Sequence, residues 1–266
     1  MIMLFNLRLR KNQFCILSFT ILCNLPLLAQ TTINYNTSAR PSGDAAMEAA
    51  ANLMTRRNPS NDFLFSNVRN AEVNVDWKNA SGSPYLKESF SPCKLYSDNE
   101  QLGSFYYRYN AYSDEIELKE SLSSPQISSL VQNKQFRLID GSNIYTYNTI
   151  VSKKNEHSEG HLNLLEDGEH FSLFRKDFVT FKKGAPAANS MVRATPDKFT
   201  NFTEYYYVDK GSGNEQAYFL DNNLKNFLNS QKKNEKEKIK TIIKDQKLNP
   251  KKEADLILLF RLLNNR

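Results

Sequence analysis

The sequence has few of the residues on which motif-defined enzymes and disulfide-rich proteins depend. Its 266 residues include three cysteines, three histidines and one tryptophan. The patterns G-x-S-x-G, H-E-x-x-H, G-x-G-x-x-G and the Walker motif do not occur in it. These absences remove the motif-based arguments for a hydrolase, a zinc protease or a nucleotide-binding protein. The sequence predicts no catalytic residue, no metal site and no cofactor.

Cysteine is too scarce to build a disulfide framework. Two of the three cysteines lie in the apolar start of the chain, which leaves Cys93 alone in the remainder. A lone thiol cannot form an internal disulfide, so stability must come from a packed core. Because Cys93 lies in a strand-like stretch without a neighbouring histidine, we expect a small buried side chain rather than a nucleophile.

The first 29 residues are typical of a secretory signal peptide. Three cationic side chains open the segment: Arg8, Arg10 and Lys11. An apolar run from Phe14 to Leu28 follows, and Ala29 provides a cleavage site before Gln30. The run is too short to span a membrane comfortably and contains Pro26. The sequence therefore predicts a cleaved, exported protein without a transmembrane span in the mature chain.

Cys23 lies in the apolar segment but is not expected to carry a lipid. The residues before it, Thr20 to Leu22, lack the small residue needed next to a lipidated cysteine. We therefore expect a protein that is periplasmic or at the cell surface and is not a lipoprotein.

Charge is unevenly distributed along the chain. The formal net charge is +6, but the segment from Lys225 onward carries twelve Lys or Arg residues against five acidic ones. The signal peptide contributes three further positive charges, so residues 30–224 are mildly acidic. Any argument for binding an anionic partner belongs to the tail alone, and no nucleic-acid partner is expected.

The densest aromatic run lies in a predicted hairpin at the centre of the chain. Aromatic residues alternate from Phe105 to Tyr109, and Ile116 and Leu118 alternate with glutamates after a short polar stretch. A four-residue loop, Asn110 to Ser113, puts the apolar residues of both strands on one face. The pairs predicted are Phe105 with Leu118, Tyr107 with Ile116 and Arg108 with Glu115. We interpret Arg108 and the two glutamates as a cross-strand ion pair on a solvated face.

This region also carries a family resemblance. The segment PYLKESF at residues 84–90, followed by RYNAYSDEIEL at 108–118, resembles a Bacteroidota family of exported proteins of unknown function. The pattern is PYL-x-x-x-F and then RYN-x-Y-x-D-x-I-E, and the resemblance covers most of residues 82–266. It implies export, short strands and a lysine-rich helical tail, and it assigns no activity.

Further strand signals follow the hairpin. Alternating or apolar runs occur at 136–139, 144–151, 161–166, 169–174, 178–181, 202–208 and 216–220. No helical pattern separates them, so the sheet should be antiparallel. Asp167-Gly168 predicts a two-residue hairpin turn. In that register His161 and His170 share one side, about 13 Å apart, which is too far for one metal ion.

The fold class predicted is α+β: a bent antiparallel β-sheet or sandwich of seven to ten strands with a C-terminal cluster of two or three helices. The domain boundaries follow from the composition. Residues 1–29 form the signal peptide, 30–72 a tether and short helix beginning near Asp44, 73–220 the antiparallel β domain, and 221–266 the basic helices packed on it. Trp77, in a strand from Val73, is expected to enter the core.

The tail changes to a helical period. Asp221 is predicted to cap a short helix, residues 234–247 form a second, and Asn249-Pro250 begins a third that runs through Leu263. The last helix has an apolar stripe made of Leu256, Leu259, Phe260 and Leu263.

Lysines of the second helix fall on one side and form what we call the lysine ridge: Lys233, Lys236, Lys240, Lys244 and Lys247. One interpretation is a solvated face. The other is a partner-binding surface for anionic envelope material or an acidic protein.

The sequence therefore favours a non-catalytic exported envelope protein that serves as a macromolecule-binding or structural module. Its partner would be an envelope component or another protein. The alternative hypothesis is a carrier of a small apolar ligand within a curved β-sheet, with tyrosines lining the groove. An enzyme is a third hypothesis, which needs a cleft that brings unpaired acidic residues together.

Overall fold

A computed structural model describes residues 64–66, 80–187, 189, 191 and 193–265. The predicted signal peptide, the helix near Asp44 and the strand Val73–Trp77 lie outside this part of the chain. In the described part no helix is long and apolar enough to cross a membrane.

Eleven strands and three helices make up the described part of the chain. The strands are β1 (Phe65–Ser66), β2 (Ser91–Ser97), β3 (Glu100–Asn110), β4 (Glu115–Lys119), β5 (Ser128–Leu130), β6 (Phe136–Asp140), β7 (Asn143–Val151), β8 (His157–Asp167), β9 (Phe171–Lys182), β10 (Lys198–Asp209) and β11 (Ala217–Leu220). The helices are α1 (Lys225–Ser230), α2 (Lys233–Asp245) and α3 (Glu253–Asn264). The predicted α+β class with a C-terminal helix cluster is confirmed. Eleven strands exceed the seven to ten expected, because β1 and β5 are too short to show a periodic pattern.

The strands form one sheet in the order β1-β5-β4-β3-β2-β6-β7-β11-β10-β9-β8, and β7 also pairs with β8. Strands β7 to β11 therefore close into a circuit of pairings, which we call the barrel. The sheet is mixed rather than wholly antiparallel as predicted, because β11 runs parallel to β7 through Ala217 opposite Ile150. All other pairings between the eleven strands are antiparallel. The expected bent sheet is thus bent far enough to close at one end.

Apolar side chains fill the barrel. Ile150, Leu162, Phe174 and Tyr206 form one buried cluster with Val208 and Ala217, each at most 8% exposed. Residues of this kind alternate along each strand with residues that face outward, as the pleat requires. These side chains form a buried core among the barrel strands, and two of them, Phe174 and Val208, also border a cavity of about 650 Å³.

A second core lies under strands β1 to β6, where alternating residues of β2, β3, β4 and β6 meet. Leu95, Ile116, Leu118 and Leu138 are each at most 1% exposed. Val179 and Phe199 join this core from the far ends of β9 and β10. The long β9–β10 ribbon therefore belongs to the barrel at one end and to this second core at the other.

The helices cover the outer side of β9 and β10 with a third core. The predicted stripe of α3 is confirmed, since Leu256, Leu259, Phe260 and Leu263 are each at most 2% exposed. They pack with Phe227 of α1 and with Leu173 and Tyr207 of the sheet. Burial of so many apolar side chains is the main force that holds this cluster on the sheet.

The helix boundaries differ from those predicted. Helix α3 begins at Glu253, because Asn249 instead forms a turn: its side chain accepts from the Lys251 N–H, and its own N–H donates to Asp255. Helix α2 ends at Asp245, because Lys247 has φ of 52° and the Leu248 N–H donates to the carbonyl of Ile243. That arrangement is a Schellman ending, and it leaves Lys247 outside the helix. Asp221 is not the N-cap of α1, a position that Leu224 occupies with φ of 58°.

The central hairpin confirms the predicted faces but corrects the register. Tyr107 lies opposite Leu118, Tyr109 opposite Ile116 and Arg108 opposite Glu117. The loop has four residues, as predicted, but runs from Ala111 to Asp114. The Asn110 side chain accepts from the N–H groups of Tyr112 and Ser113, and Asp114 closes the turn with φ of 56°. Asn and Asp are the residues that adopt these turn conformations most readily, and this turn chemistry sets the register two residues from that predicted.

The turn between β8 and β9 also differs. The predicted two-residue turn at Asp167-Gly168 is wrong, because Asp167 pairs with Ser172 and the connection is longer. A bulge at Leu165 shifts the register again. As a result Leu164, rather than His161 as that turn predicted, lies opposite Phe174, and Asn163 lies opposite Arg175.

Candidate functional site

A polar cleft opens where the sheet splits between β3 and β7. Strand β2 begins at Ser91, opposite Tyr107, so the last residues of β3 have no β2 partner. On the other side β6 ends at Asp140. The chain before β2 crosses the gap, with the Leu86 N–H donating to the Tyr109 carbonyl.

The resulting space, the tyrosine cleft, has a volume of about 370 Å³. It is lined by Leu86, Lys87, Ser89, Ser91, Tyr107, Arg108, Tyr109, Asp140, Ser142, Asn143, Tyr145 and Arg175.

Three buried tyrosines form one wall of the cleft. The ring of Tyr145 lies against those of Tyr107 and Tyr109, with centroid separations of 5.8 and 5.4 Å. Burial, together with the nearby Asp177 carboxylate, raises the pKa of Tyr145 to about 12. Burial also raises the pKa of Tyr107 and Tyr109, each of which donates a hydrogen bond to an aspartate. All three phenols therefore remain neutral at physiological pH.

A chain of amide and carboxylate groups forms the floor. Tyr107 donates to Oδ2 of Asp140, and Asn143 donates from Nδ2 to Oδ1 of the same carboxylate over 3.1 Å. Asn163, which is 2% exposed, donates from Nδ2 to Oδ1 of Asn143 over 2.8 Å. Its own Oδ1 accepts from the backbone N–H of Ile144. These bonds fix the orientation of both asparagine side chains before any ligand arrives.

Arg175 closes the far side of the cleft. Its Nε donates to Asp177 over 2.8 Å, and its Nη1 donates to both carboxylate oxygens of Glu253 over 3.1 Å. Burial alone lowers the pKa of Arg175, but these two carboxylates outweigh it and raise the pKa above its ordinary value. Glu253 is the first residue of α3, so this contact ties the helix cluster to the cleft.

Arg108 forms a buried ion pair beside the cleft. It donates from Nε and Nη2 to Oε2 of Glu117, whose side chain is 3% exposed. The Tyr85 hydroxyl donates to Oε1 of the same carboxylate, and the Tyr85 ring stacks on the guanidinium at 3.7 Å. The ring of Phe90 lies on the guanidinium as well, at 4.6 Å.

The predicted pairing of Arg108 with Glu115 on a solvated face is wrong. The register places Glu117 opposite Arg108, and Tyr85 and Phe90 from the segment before β2 cover the pair. Glu115 is also buried, at 3% exposure, and accepts a hydrogen bond from the Ser113 hydroxyl.

Asp114 joins the central hairpin to the barrel behind the tyrosine wall. Its carboxylate accepts from the Tyr109 hydroxyl over 2.6 Å, from Lys176 over 2.9 Å and from the His161 backbone N–H over 3.3 Å. Burial by itself raises the pKa of Asp114, but the hydrogen bonds and charges of His161, Lys176 and Tyr109 outweigh it, so the pKa lies well below the ordinary value of 3.8. Gly160 permits the contact, because a Cβ there would collide with this carboxylate and with Lys176 Nζ.

The three histidines do not meet. His157 and His170 are exposed, whereas His161 is 3% exposed and its ring lies edge-on to Tyr109 and Tyr147. Among the described residues no three His, Cys, Asp or Glu side chains are arranged to hold a metal ion. The predicted shared side for His161 and His170 is wrong, since it depended on the two-residue turn.

Cys93 is buried in the core under β2, at 5% exposure, as predicted. Burial raises the pKa of its thiol to about 12, which keeps the sulfur protonated and unreactive.

The lysine ridge lies on α2, away from the cleft. Four of its members are exposed: Lys233, Lys240, Lys244 and Lys247. Lys236 is half-buried and donates to Asn229, and Lys240 pairs with Glu237. Lys247 lies beyond the helix end, so the ridge on the helix itself has four lysines. Its role as a partner-binding surface stays a prediction.

Sequence reasoning missed the residues of the cleft floor, which are Asp140, Asn143, Asn163 and Arg175. They come from four strands, and each looks like an ordinary turn or surface residue in its own segment. The one available signal was the presence of asparagine inside predicted strands, where it is normally depleted.

Comparison with protein-family models, with curated proteins and with solved structures found no match to this chain. The resemblance of residues 84–118 to a Bacteroidota family therefore stays a prediction. The geometry of the tyrosine cleft is therefore the basis for assigning a function.

Proposed function

We propose that this protein is a non-catalytic, exported binding module of the bacterial cell envelope, and that the tyrosine cleft contacts its ligand. Within the described part of the chain, the charged groups of the cleft already have partners in the protein. Arg108 is paired with Glu117, and Arg175 with Asp177 and Glu253. The tyrosines are held in their neutral form. Paired charges and neutral phenols suit recognition by hydrogen bonds better than proton transfer.

The cleft has the size and setting of a small-molecule or end-group site. Its volume of about 370 Å³ falls within the range of roughly 300–1,000 Å³ typical of ligand pockets. It combines fixed polar groups with tyrosine rings, and rigid strands position both. These features support a site that is formed before the ligand binds.

The alternative, a carrier of an apolar ligand inside the curved sheet, has less support. The closed barrel is the natural place for such a ligand, and the side chains of Ile150, Leu162, Phe174 and Tyr206 occupy its interior. An apolar ligand would have to displace a packed core.

Co-sedimentation with isolated envelope fragments tests the proposal. Ser142 is exposed at the mouth of the cleft, so Ser142→Trp should block entry while leaving the buried contacts intact. The matched control is Lys154→Trp, an exposed position in the β7–β8 turn that does not line the cleft.

The wild-type chain and Lys154→Trp should bind envelope fragments saturably, and Ser142→Trp should bind at least tenfold more weakly. The fragments should be recovered chemically unchanged after incubation. Equal binding by Ser142→Trp, or consumption of envelope material by the wild-type chain, would contradict the proposal.

A further inference from the structure

Most charged groups that line the tyrosine cleft are already bonded within the protein, although Lys87, which is exposed and donates to Ser91, has no carboxylate partner among the described residues. The guanidinium of Arg175 faces two carboxylates, and the carboxylate of Asp140 accepts from a tyrosine and an asparagine. A strongly charged ligand would have to compete with these internal partners. A neutral ligand can use the lone pairs and N–H groups that remain.

Those remaining groups are arranged around one small space. The carboxylate oxygens of Asp140 have further lone pairs, and Asn143 presents its amide from the neighbouring turn. Across the cleft, the Nη2 of Arg175 has no acceptor among the described residues. Ser89 and Ser142 add exposed side chains at the rim.

Donors and acceptors of this kind match adjacent hydroxyl groups on a ring. A carboxylate beside an amide can accept from one hydroxyl and donate to the next, and a guanidinium edge donates two N–H groups to a single oxygen or to a pair. The rings of Tyr107 and Tyr145 and the side chain of Leu86 offer apolar surface for the C–H side of such a ligand.

We propose that the tyrosine cleft binds a neutral, hydroxyl-rich ligand of the size of a sugar ring, held by Asp140, Asn143 and the Nη2 group of Arg175. The inference rests on the proposed function and names the chemical class of its ligand. Discrimination is expected against anionic sugars, because the carboxylates of Asp140, Asp177 and Glu253 would repel them.

Calorimetric titration of the full chain with a defined sugar panel tests this inference. The panel contains glucose, galactose, mannose and N-acetylglucosamine, with glucuronate and glucose 6-phosphate as the charged counterparts of glucose. At least one neutral sugar should bind. Asn143→Ala should weaken its binding at least tenfold, because Asn143 contributes the amide of the cleft floor.

The matched control is Asn148→Ala, an asparagine of the same strand that lies outside the cleft and bonds to Thr146. It should bind the sugar as the wild type does. If Asn143→Ala lowers the melting temperature markedly, the exposed Ser142→Trp variant serves as the second test and should also abolish binding.

The outcomes separate the inference from the proposed function. Tighter binding of glucuronate or glucose 6-phosphate than of glucose would overturn the neutral-ligand inference. So would variants Asn143→Ala and Ser142→Trp that both bind the neutral sugar as tightly as the wild type does. If no sugar binds while envelope fragments still bind in a cleft-dependent manner, the sugar class is wrong and the binding module stands. If neither sugars nor envelope fragments bind, both proposals fail.

Discussion

At the scale of single residues, the buried ion pair of Arg108 and Glu117 is the most sensitive point in the central hairpin. Glu117→Gln leaves the guanidinium without its carboxylate under the rings of Tyr85 and Phe90. Removing one partner of a buried ion pair typically costs about 3–5 kcal/mol, because the remaining charge stays desolvated. We therefore expect the free energy of unfolding, measured by urea denaturation, to fall by about that amount.

Two comparisons make this prediction specific. Glu120→Gln changes an exposed glutamate next to the same strand and should leave the free energy of unfolding almost unchanged. The double replacement Arg108→Met with Glu117→Leu should be less harmful than Glu117→Gln alone, since it leaves no buried charge. A single Glu117→Gln variant as stable as Glu120→Gln would contradict the burial of this pair.

Asp114 makes the free energy of unfolding depend on pH in the acidic range. Its pKa in the folded protein lies below the ordinary value of 3.8, so the carboxylate stabilises the fold above that pH and loses this effect as the pH falls further. Asp114→Asn retains a residue that tolerates the left-handed backbone but removes the charge. We expect it to lower the free energy of unfolding by about 1–3 kcal/mol at pH 7, since hydrogen bonds to charged groups contribute about that much.

The measurement compares wild type and Asp114→Asn by denaturation between pH 7 and pH 2. Their difference should be constant down to about pH 4 and should then shrink, because the unfolded wild type takes up a proton at Asp114 while the folded carboxylate is still ionised. A difference that stays constant down to pH 2 would show that the charge of Asp114 contributes nothing.

At the scale of elements, the lysine ridge of α2 is the surface best suited to an anionic partner. Replacing its three most exposed helical members, Lys233, Lys240 and Lys244, with glutamine should weaken envelope association at low salt without changing the helix content. The reason is that exposed charges are least screened at low salt, so the loss of three positive charges has its largest effect there. At high salt the Debye length falls well below its value of about 10 Å at 0.1 M, and binding through these charges weakens in the wild type as well.

The control carries the same three-charge change elsewhere, at the exposed residues Lys94, Lys153 and Lys154. It should sediment with envelope fragments as the wild type does. If the ridge variant and the control bind equally at low salt, the ridge is a solvated face.

The elements also show where sequence patterns stop being informative. Alternation predicted which residues of β3 and β4 face the core, because successive side chains of a β-strand point to opposite faces of the sheet. It could not fix the register, because a shift of two residues leaves every side chain on the same face. The turn conformations of Asn110 and Asp114 determine the register of β3 and β4. Both residues lie in a short polar stretch whose sequence alone does not indicate a particular turn.

At the scale of the whole molecule, composition and the absence of helices between strands were sufficient to predict an α+β fold with helices at the end. The closed barrel was not predictable in the same way. Its closing pair joins β7 to β11, which are more than sixty residues apart in the chain, by only two residue pairs. The tyrosine cleft combines residues of β3, β6, β7 and β9, so no single segment carries its pattern.

Export is a property of the whole chain that the described residues do not test. The basic and then apolar start predicts cleavage after Ala29, giving a mature chain that begins at Gln30. Mass spectrometry of the protein recovered from its native host checks this directly. An intact Met1, or a lipidated Cys23 as the new N-terminus, would rule it out.

The central claim is that the tyrosine cleft, where the sheet splits, contacts the envelope ligand. Hydrogen–deuterium exchange of the full chain with and without solubilised envelope fragments tests it most directly. We predict slower exchange in two segments that border the cleft, Leu86–Ser91 and Asp140–Tyr145. Protection confined to α2, or no protection at either cleft segment while the fragments are bound, would contradict the claim.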